Sequence, residues 1–115
     1  MIKSYEVSFG EDFYCEFEVD HDFKDLKQIL DNQYRYFSNS EASIEDRKIL
    51  FYLLRIYARE VFLISIHPWT INAVIEEVKY RNGTIPLNGL MGVKLIYSRY
   101  IDLGYNNMKV YEIEN

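Results

Sequence analysis

The sequence has few of the residues that build metal centres and nucleophilic sites. Among its 115 residues there are one cysteine, Cys15, and two histidines, His21 and His67. A single cysteine excludes an internal disulfide and a thiolate metal cluster, and it is compatible with a reducing compartment. Cys15 alternates in phase with Phe17 and Val19, so we expect a buried thiol and not a reactive one. No metal and no cofactor is expected.

Glycine, proline and long apolar runs are also scarce. Neither the phosphate-binding P-loop nor the dinucleotide fingerprint is present, so nucleotide chemistry is not expected. The most apolar run, residues 49–66, carries Arg55, Arg59 and Glu60, whereas a membrane span needs about 20 uncharged apolar residues. The opening MIKSYEVSFGED lacks the apolar region of a signal peptide. We therefore expect a cytoplasmic protein without a membrane span.

Length and composition predict one domain over residues 1–115. Hydrophobic residues make up 49% of the chain and charged residues 27%, a balance that can bury a core and differs from that of disordered chains. The net charge is −5 and is unevenly distributed, at −8 over residues 1–46 and +3 over residues 47–115. Such a division indicates either an acidic docking face or two halves that attract each other in the fold. We favour the attraction.

The first twenty residues have the period-2 pattern of half-buried strands. Apolar Val7, Phe17 and Val19 alternate with acidic residues, which predicts strands over residues 2–9 and 13–20. The short polar connection between them predicts an antiparallel hairpin. Its outer face is acidic, with the glutamates Glu6, Glu16 and Glu18.

Helical spacing follows from residue 23 onward. Three- and four-residue steps predict a helix from about 23 to 38 capped by Asp22, and a second from about 44 to 66 that begins with a capping box of Ser43 and Asp46. The second helix is apolar nearly all round, which predicts a central, buried element. A third helix is predicted to begin at the cap Thr70 and to end at Asn82-Gly83.

One face of the second predicted helix carries a polar stripe. Its members are Lys48, Tyr52, Arg55 and Arg59, which follow one another at steps of three or four residues. Such spacing places the four side chains on the same face of a helix. We expect the cations of this stripe to pair with carboxylates of the acidic first half.

The last third of the chain is predicted to add a second hairpin. Residues 84–91 contain turn formers and predict a loop, and residues 92–100 and 109–114 predict two strands around a turn. The expected fold is α+β, with the element order ββαααββ. Two terminal hairpins would form one antiparallel sheet, with three central helices on one face.

Two clusters contain residue types that could form a chemical site. Asp20-His21-Asp22 holds potential metal ligands, but neighbouring side chains at a strand end diverge, so helix capping is the simpler interpretation. His67 in His67-Pro68-Trp69-Thr70 has no partner nucleophile with a known signature, so an interhelical corner is preferred to a general base. We predict that the protein is not an enzyme.

Three clusters interleave cations with aromatic rings, as surfaces that stack on nucleic-acid bases do. They are Tyr34-Arg35-Tyr36-Phe37, Lys79-Tyr80-Arg81 and Tyr97-Ser98-Arg99-Tyr100. The acidic pI of about 5.0 opposes binding of a polyanion, which needs a basic footprint. Nucleic acid is therefore not the expected partner.

Four stretches together resemble a family of small uncharacterised proteins from bacteria and their phages and plasmids, classed as a domain of unknown function. They are Tyr5–Phe9, Cys15–Asp20, Ile75-Glu76-Glu77 and Asp102–Met108. The resemblance spans nearly the whole chain and contains no catalytic motif. It implies an accessory product of a phage or mobile element and provides no active site to transfer.

These observations predict a small, non-catalytic protein-binding accessory protein. The expected contact is the acidic face of the first hairpin, with Glu6, Glu16 and Glu18, and the expected partner is a host protein. The alternative is binding of nucleic acid or a small ligand through the aromatic–cation clusters. The sequence leaves the oligomeric state open.

Overall fold

In the part of the chain that the structure describes, there are three strands and three helices in the order β-β-α-α-α-β. The computed structural model describes residues 1–10, 13–40, 44–65, 70–79, 83–99, 106 and 108–113. Within these ranges the fold is α+β, as predicted, with one antiparallel sheet of three strands. No helix within these described ranges combines the length and the apolar character that crossing a bilayer requires.

The first two strands are β1, Ile2–Phe9, and β2, Phe13–Asp20. They pair antiparallel over their whole length, and the predicted bounds are confirmed. Gly10 follows β1 with a positive φ of 65°, a conformation that glycine adopts without steric cost. The third strand, β3, is Val93–Ser98 and pairs with the other side of β2. The hairpin thus supplies two of the three strands, with β2 in the centre.

The prediction of a second terminal hairpin is not confirmed. Residues 109–113 of the predicted last strand form no strand and are exposed, so the described part of the sheet has three strands. The segment mixes polar and apolar side chains on both of its alternating faces, since Lys109 shares one face with Tyr111 and Ile113, and Val110 shares the other with Glu112. A strand with no clean apolar face gains little by packing on the core.

The first helix, α1, is Leu26–Ser38 and begins later than predicted. Asp22 does not cap it, because β2 continues to Asp20 and the chain then turns through a hydrogen bond from the Phe23 N–H to the Asp20 carbonyl, 3.0 Å. The N-cap is Asp25, in the left-handed conformation and without a side-chain capping bond. The turn that leaves the sheet therefore determines where the helix begins.

The second helix, α2, is Asp46–Ile64 and has eight buried side chains, which confirms its central position. Its N-cap is Glu45, so the predicted capping box is wrong in placing the helix start at Ser43, which itself lies outside the described residues. The third helix, α3, is Ile71–Val78. Its predicted cap is confirmed, because Thr70 Oγ1 accepts a hydrogen bond from the Ala73 N–H, 3.2 Å.

The helices cover one face of the sheet and share a single core with it. The odd-numbered residues of β2, Cys15, Phe17 and Val19, are fully buried beneath them. Tyr57 of α2 is also fully buried, and its hydroxyl donates to Gln33 Oε1 of α1 at 2.7 Å. Gln33 Nε2 in turn donates to the Gly83 carbonyl at 2.9 Å. This chain of two hydrogen bonds joins α1, α2 and the loop after α3.

The predicted pairing between the polar stripe of α2 and the acidic first half is not found. Arg55 and Arg59 are exposed and form no salt bridge with any residue in the described ranges. Lys48 pairs at 3.9 Å with its own neighbour Glu45, also in an exposed position. The stripe faces away from the sheet because the opposite side of α2 carries the larger apolar surface, and burial of apolar area outweighs exposed ion pairs.

We expect Tyr57→Phe to lower the free energy of unfolding by about 1 kcal/mol, since it removes one largely buried hydrogen bond while keeping the ring in the core. Urea denaturation monitored by circular dichroism measures the change. Tyr52→Phe is the matched control, because Tyr52 is half-buried in the same helix and its hydroxyl has no hydrogen bond within the described part of the chain. Equal effects of the two changes would contradict a role for the Tyr57 hydroxyl.

Cys15 should resist thiol reagents in the folded protein. The side chain is fully buried, and burial raises the pKa of its thiol to about 12, so the reactive thiolate is absent at neutral pH. Labelling with a maleimide, followed by mass spectrometry, should require urea. Rapid labelling of the native protein would mean that β2 presents its odd-numbered residues to solvent.

Candidate protein-binding face

The three predicted glutamates lie on the face of the sheet that the helices leave bare. Glu6 is exposed, and Glu16 and Glu18 are half-buried. They are placed there by alternation, because their neighbours in β2 point into the core. Glu6 lies directly opposite Glu16 across the hairpin, and Glu18 lies opposite Lys94 of β3. We call Glu6, Glu16 and Glu18 the acidic face.

Glu6 and Glu16 form a non-hydrogen-bonded pair, the kind of cross-strand pair in antiparallel sheets whose Cα atoms lie closer together. The His21 N–H donates to the Met1 carbonyl at 2.8 Å, so Met1 and His21 form a hydrogen-bonded pair. Hydrogen-bonded and non-hydrogen-bonded pairs alternate along such a ladder, which makes Glu6–Glu16 non-hydrogen-bonded, with Cα atoms about 4.5 Å apart. The two carboxylates are therefore neighbours, and like charges in this position destabilise a sheet.

Two tyrosines border the acidic face. Tyr14 of β2 and Tyr97 of β3 stack with ring centroids 5.1 Å apart. Tyr97 lies opposite Glu16 because an irregularity in the ladder between Glu16 and Phe17 shifts the register. The hydrogen bond with Tyr97 raises the pKa of the Tyr14 hydroxyl, and the charges of Glu16 and Glu6 raise it further. The tyrosine pair thus lies within the negative potential of the acidic face.

Charge compensation on this surface is sparse. Lys94 is the cation aligned with Glu18 in the ladder, but no glutamate of the acidic face comes within salt-bridge distance of a cation in the part of the chain that the structure describes. The ion pairs of the hairpin and helices lie elsewhere, such as that between Lys27 and Asp31 at 3.1 Å. The surface therefore keeps an excess of negative charge that a basic partner can neutralise.

The Asp20-His21-Asp22 cluster has structural contacts. Asp20 Oδ1 accepts a hydrogen bond from the Asp22 N–H at 3.1 Å, and His21 Nε2 lies 2.8 Å from the Tyr5 hydroxyl. Among the described residues no group of three potential ligands is placed to hold a metal ion. The contact between Tyr5 and His21 was missed because nothing in the spacing of these residues indicates that the turn folds back over β1.

A cleft that sequence reasoning did not foresee lies between β1, the start of α1 and the start of α2. Its volume is about 770 Å³. The rim is charged, with Lys27 held between Asp31 at 3.1 Å and Asp46 at 3.4 Å, and the Arg47 guanidinium lies 5.0 Å from the centre of the Phe51 ring. Among the described residues, its lining contains no serine, threonine or cysteine.

The aromatic–cation clusters are only partly on the surface. Tyr34 packs edge-on against Tyr52 at 5.3 Å, and Phe37 packs against Tyr57 at 6.5 Å, so half of the first cluster belongs to the contact between α1 and α2. Tyr36 is exposed. Tyr80, Arg81 and Tyr100 of the other clusters lie outside the described residues, as do His67, Pro68 and Trp69. The described residues of these clusters therefore do not by themselves form one surface.

Comparison with known proteins leaves the geometry of the acidic face as the basis for assigning a function. The scan against family models and the searches of curated proteins and of solved structures find no match to this chain. The resemblance to small bacterial, phage and plasmid proteins stays a prediction that rests on the sequence motifs alone.

Proposed function

We propose that this protein is a non-catalytic protein-binding module and that the acidic face is its contact surface. The observation that supports this best is the Glu6–Glu16 pair. Two carboxylates are held side by side on a bare sheet face without a salt bridge in the described part of the chain. Glutamine at either position would fit the same strand geometry without the repulsion.

The repulsion between Glu6 and Glu16 is a cost that a partner can reverse. Like charges directly opposite each other weaken an antiparallel sheet, with cross-strand pairs contributing roughly 0.2–1 kcal/mol. A lysine or arginine placed between the two carboxylates changes repulsion into two attractions. The sheet is already formed, so binding needs no rearrangement of the backbone and little loss of conformational entropy.

The chemistry of the face indicates a basic protein surface as the partner. The stacked rings of Tyr14 and Tyr97 lie beside Glu16 and offer an aromatic platform to an arginine or lysine. Tyrosine is also enriched in protein interfaces. Nucleic acid is disfavoured at this surface because its phosphates would meet carboxylates. A host protein as the partner, and a phage or mobile-element origin, remain expectations from the sequence.

Binding of a small ligand is the second candidate function, and the cleft is the observation that favours it. Its volume of about 770 Å³ falls within the range of small-molecule sites, which are roughly 300–1,000 Å³. Its floor includes the rings of Tyr5 and Phe51, whose centroids are 5.9 Å apart. Its described lining residues include three carboxylates and three cations, so their charge does not select a ligand of one sign as clearly as the acidic face does.

Replacing Glu6 and Glu16 together by glutamine should separate stability from binding. We expect the free energy of unfolding to rise by up to about 1 kcal/mol, because the like-charge pair is removed. Affinity for a short oligolysine peptide should fall roughly tenfold at low salt, since two favourable charge contacts are lost. Urea denaturation measures the first quantity, and titration followed by amide chemical shifts measures the second.

The control is the double change Glu76→Gln and Glu77→Gln, which removes the same two negative charges in α3, outside the acidic face. It should leave the affinity for oligolysine within about twofold, because it alters net charge without altering the face. Peptide-induced shifts should centre on Glu16 and Tyr97. The proposal fails if the control weakens binding as much as the double change does, or if the shifts map to another surface.

A further inference from the structure

Among the described residues, β1 has a free edge along its whole length. β2 pairs with it on one side, and within the described part of the chain nothing pairs with it on the other. Since Met1 and His21 form a hydrogen-bonded pair, the odd-numbered residues of β1 bond to β2, and the even-numbered ones direct their N–H and C=O groups to the open side. These groups are a template for one more strand.

The opposite edge of the sheet is protected. The Gly89 N–H donates to the Val93 carbonyl at 3.0 Å, and the Leu95 N–H donates to the Leu87 carbonyl at 2.9 Å. Residues 87–89 thus cover part of β3. The contrast between the two edges singles out β1 as the place where the sheet can be extended.

The same chain also exposes a segment with the composition of a strand. Residues 108–113 form no strand, and their apolar side chains are among the most exposed of the described residues, at 95% for Val110 and 84% for Ile113. β-branched and aromatic residues such as these favour strands. An unpaired edge and an unpaired strand-like segment therefore occur in one molecule.

One register makes the two complementary. With the segment antiparallel to β1 and Lys109 opposite Glu6, Glu112 falls opposite Lys3, and Val110 falls opposite Tyr5. Shifts of one or two residues in either direction lose both of these charge pairs, and only the shift that places Glu114 opposite Lys3 gains a single pair in exchange. A parallel arrangement cannot form the two pairs together. Opposite charges facing each other stabilise a ladder. The charge pattern thus favours this orientation and this register, the one in which two opposite-charge pairs form.

The position of Lys3 disfavours any added strand that does not place an acidic residue opposite it. It lies opposite the buried Val19 in the ladder, so its side chain projects to the helix side of the sheet, where it lines the cleft. An inward-pointing charge on an edge strand is a common protection against unspecific pairing. Glu112 supplies the opposite charge at that position, and Val110 would lie beside Tyr5 at the border of the cleft. The same lysine therefore disfavours other strands and favours this one.

We propose that residues 108–113 of one copy add to the free edge of β1 in a second copy as an antiparallel strand, in the register that pairs Lys109 with Glu6 and Glu112 with Lys3. In the single chain the segment lies exposed and apart from the edge, so each copy has both an empty edge and a strand to donate. Reciprocal exchange then gives a closed dimer in which each pairing occurs twice. The inference is independent of the proposed function.

The test reverses the charges of Lys3 and Glu112, the proposed pair that lies outside the acidic face. Lys3→Glu and Glu112→Lys should each weaken the dimer roughly tenfold in sedimentation equilibrium, because every dimer contains the lost pair twice. The two changes combined should restore dimerisation to within about threefold of the original. Both side chains are exposed in the single chain, so neither variant should impair folding, and circular dichroism checks this. Failure of the double variant to recover would overturn the register.

Hydrogen exchange locates the interface. The amides of Ile2, Ser4 and Glu6 should become protected as protein concentration rises, and deletion of residues 108–115 should abolish both the protection and the dimer. A chain that remains monomeric at millimolar concentration would overturn the proposal. Protection that is independent of concentration would also overturn it, because the segment would then be pairing within its own chain. A dimer that survives the deletion would place the interface elsewhere.

Discussion

The phase of the central strand β2 is the constraint on which the rest of the structure depends. Cys15, Phe17 and Val19 are fully buried, and this fixes one face of the sheet as the floor of the core. The residues between them must then face away from the helices, whatever their charge. The acidic face is a direct consequence, because a shift of one residue would bury Glu16 and Glu18 and expose the core side chains.

Burial of α2 against that floor explains why attraction between the two oppositely charged halves does not determine how this helix is oriented. The uneven charge of the two halves predicted attraction between them, yet Arg55 and Arg59 are exposed and the acidic face is on the far side of the sheet. α2 has eight buried side chains, and each large apolar side chain that is fully buried stabilises the fold by roughly 1.5–3 kcal/mol. Exposed ion pairs contribute at most about 1 kcal/mol, so packing determined the orientation of the helix.

The features that the sequence predicted correctly are determined by interactions between residues close together in the chain. The bounds of β1 and β2, the cap at Thr70 and the placement of the acidic face follow from alternation or from a hydrogen bond three residues away. The start of α1 was mispredicted because it depends on how the chain leaves the sheet at Asp20. The last strand was mispredicted because a strand-like segment needs a neighbour, and the sequence does not say which neighbour it has. The cleft joins three elements distant in the chain, so no local pattern indicated it.

Two features of the hairpin are costly for an isolated domain, and they occupy adjacent surfaces. The Glu6–Glu16 pair places like charges together on the open face, and the outer edge of β1 has no backbone partner among the described residues. Water forms hydrogen bonds with the backbone groups of the edge and screens the charges, so the fold tolerates both.

Glu6 belongs to both surfaces, because its side chain lies on the acidic face and its backbone groups point to the edge. A strand that brought Lys109 beside Glu6 would ease the repulsion at one end of the face and leave Glu16 and Glu18 available to a basic partner, so the two surfaces can be occupied together.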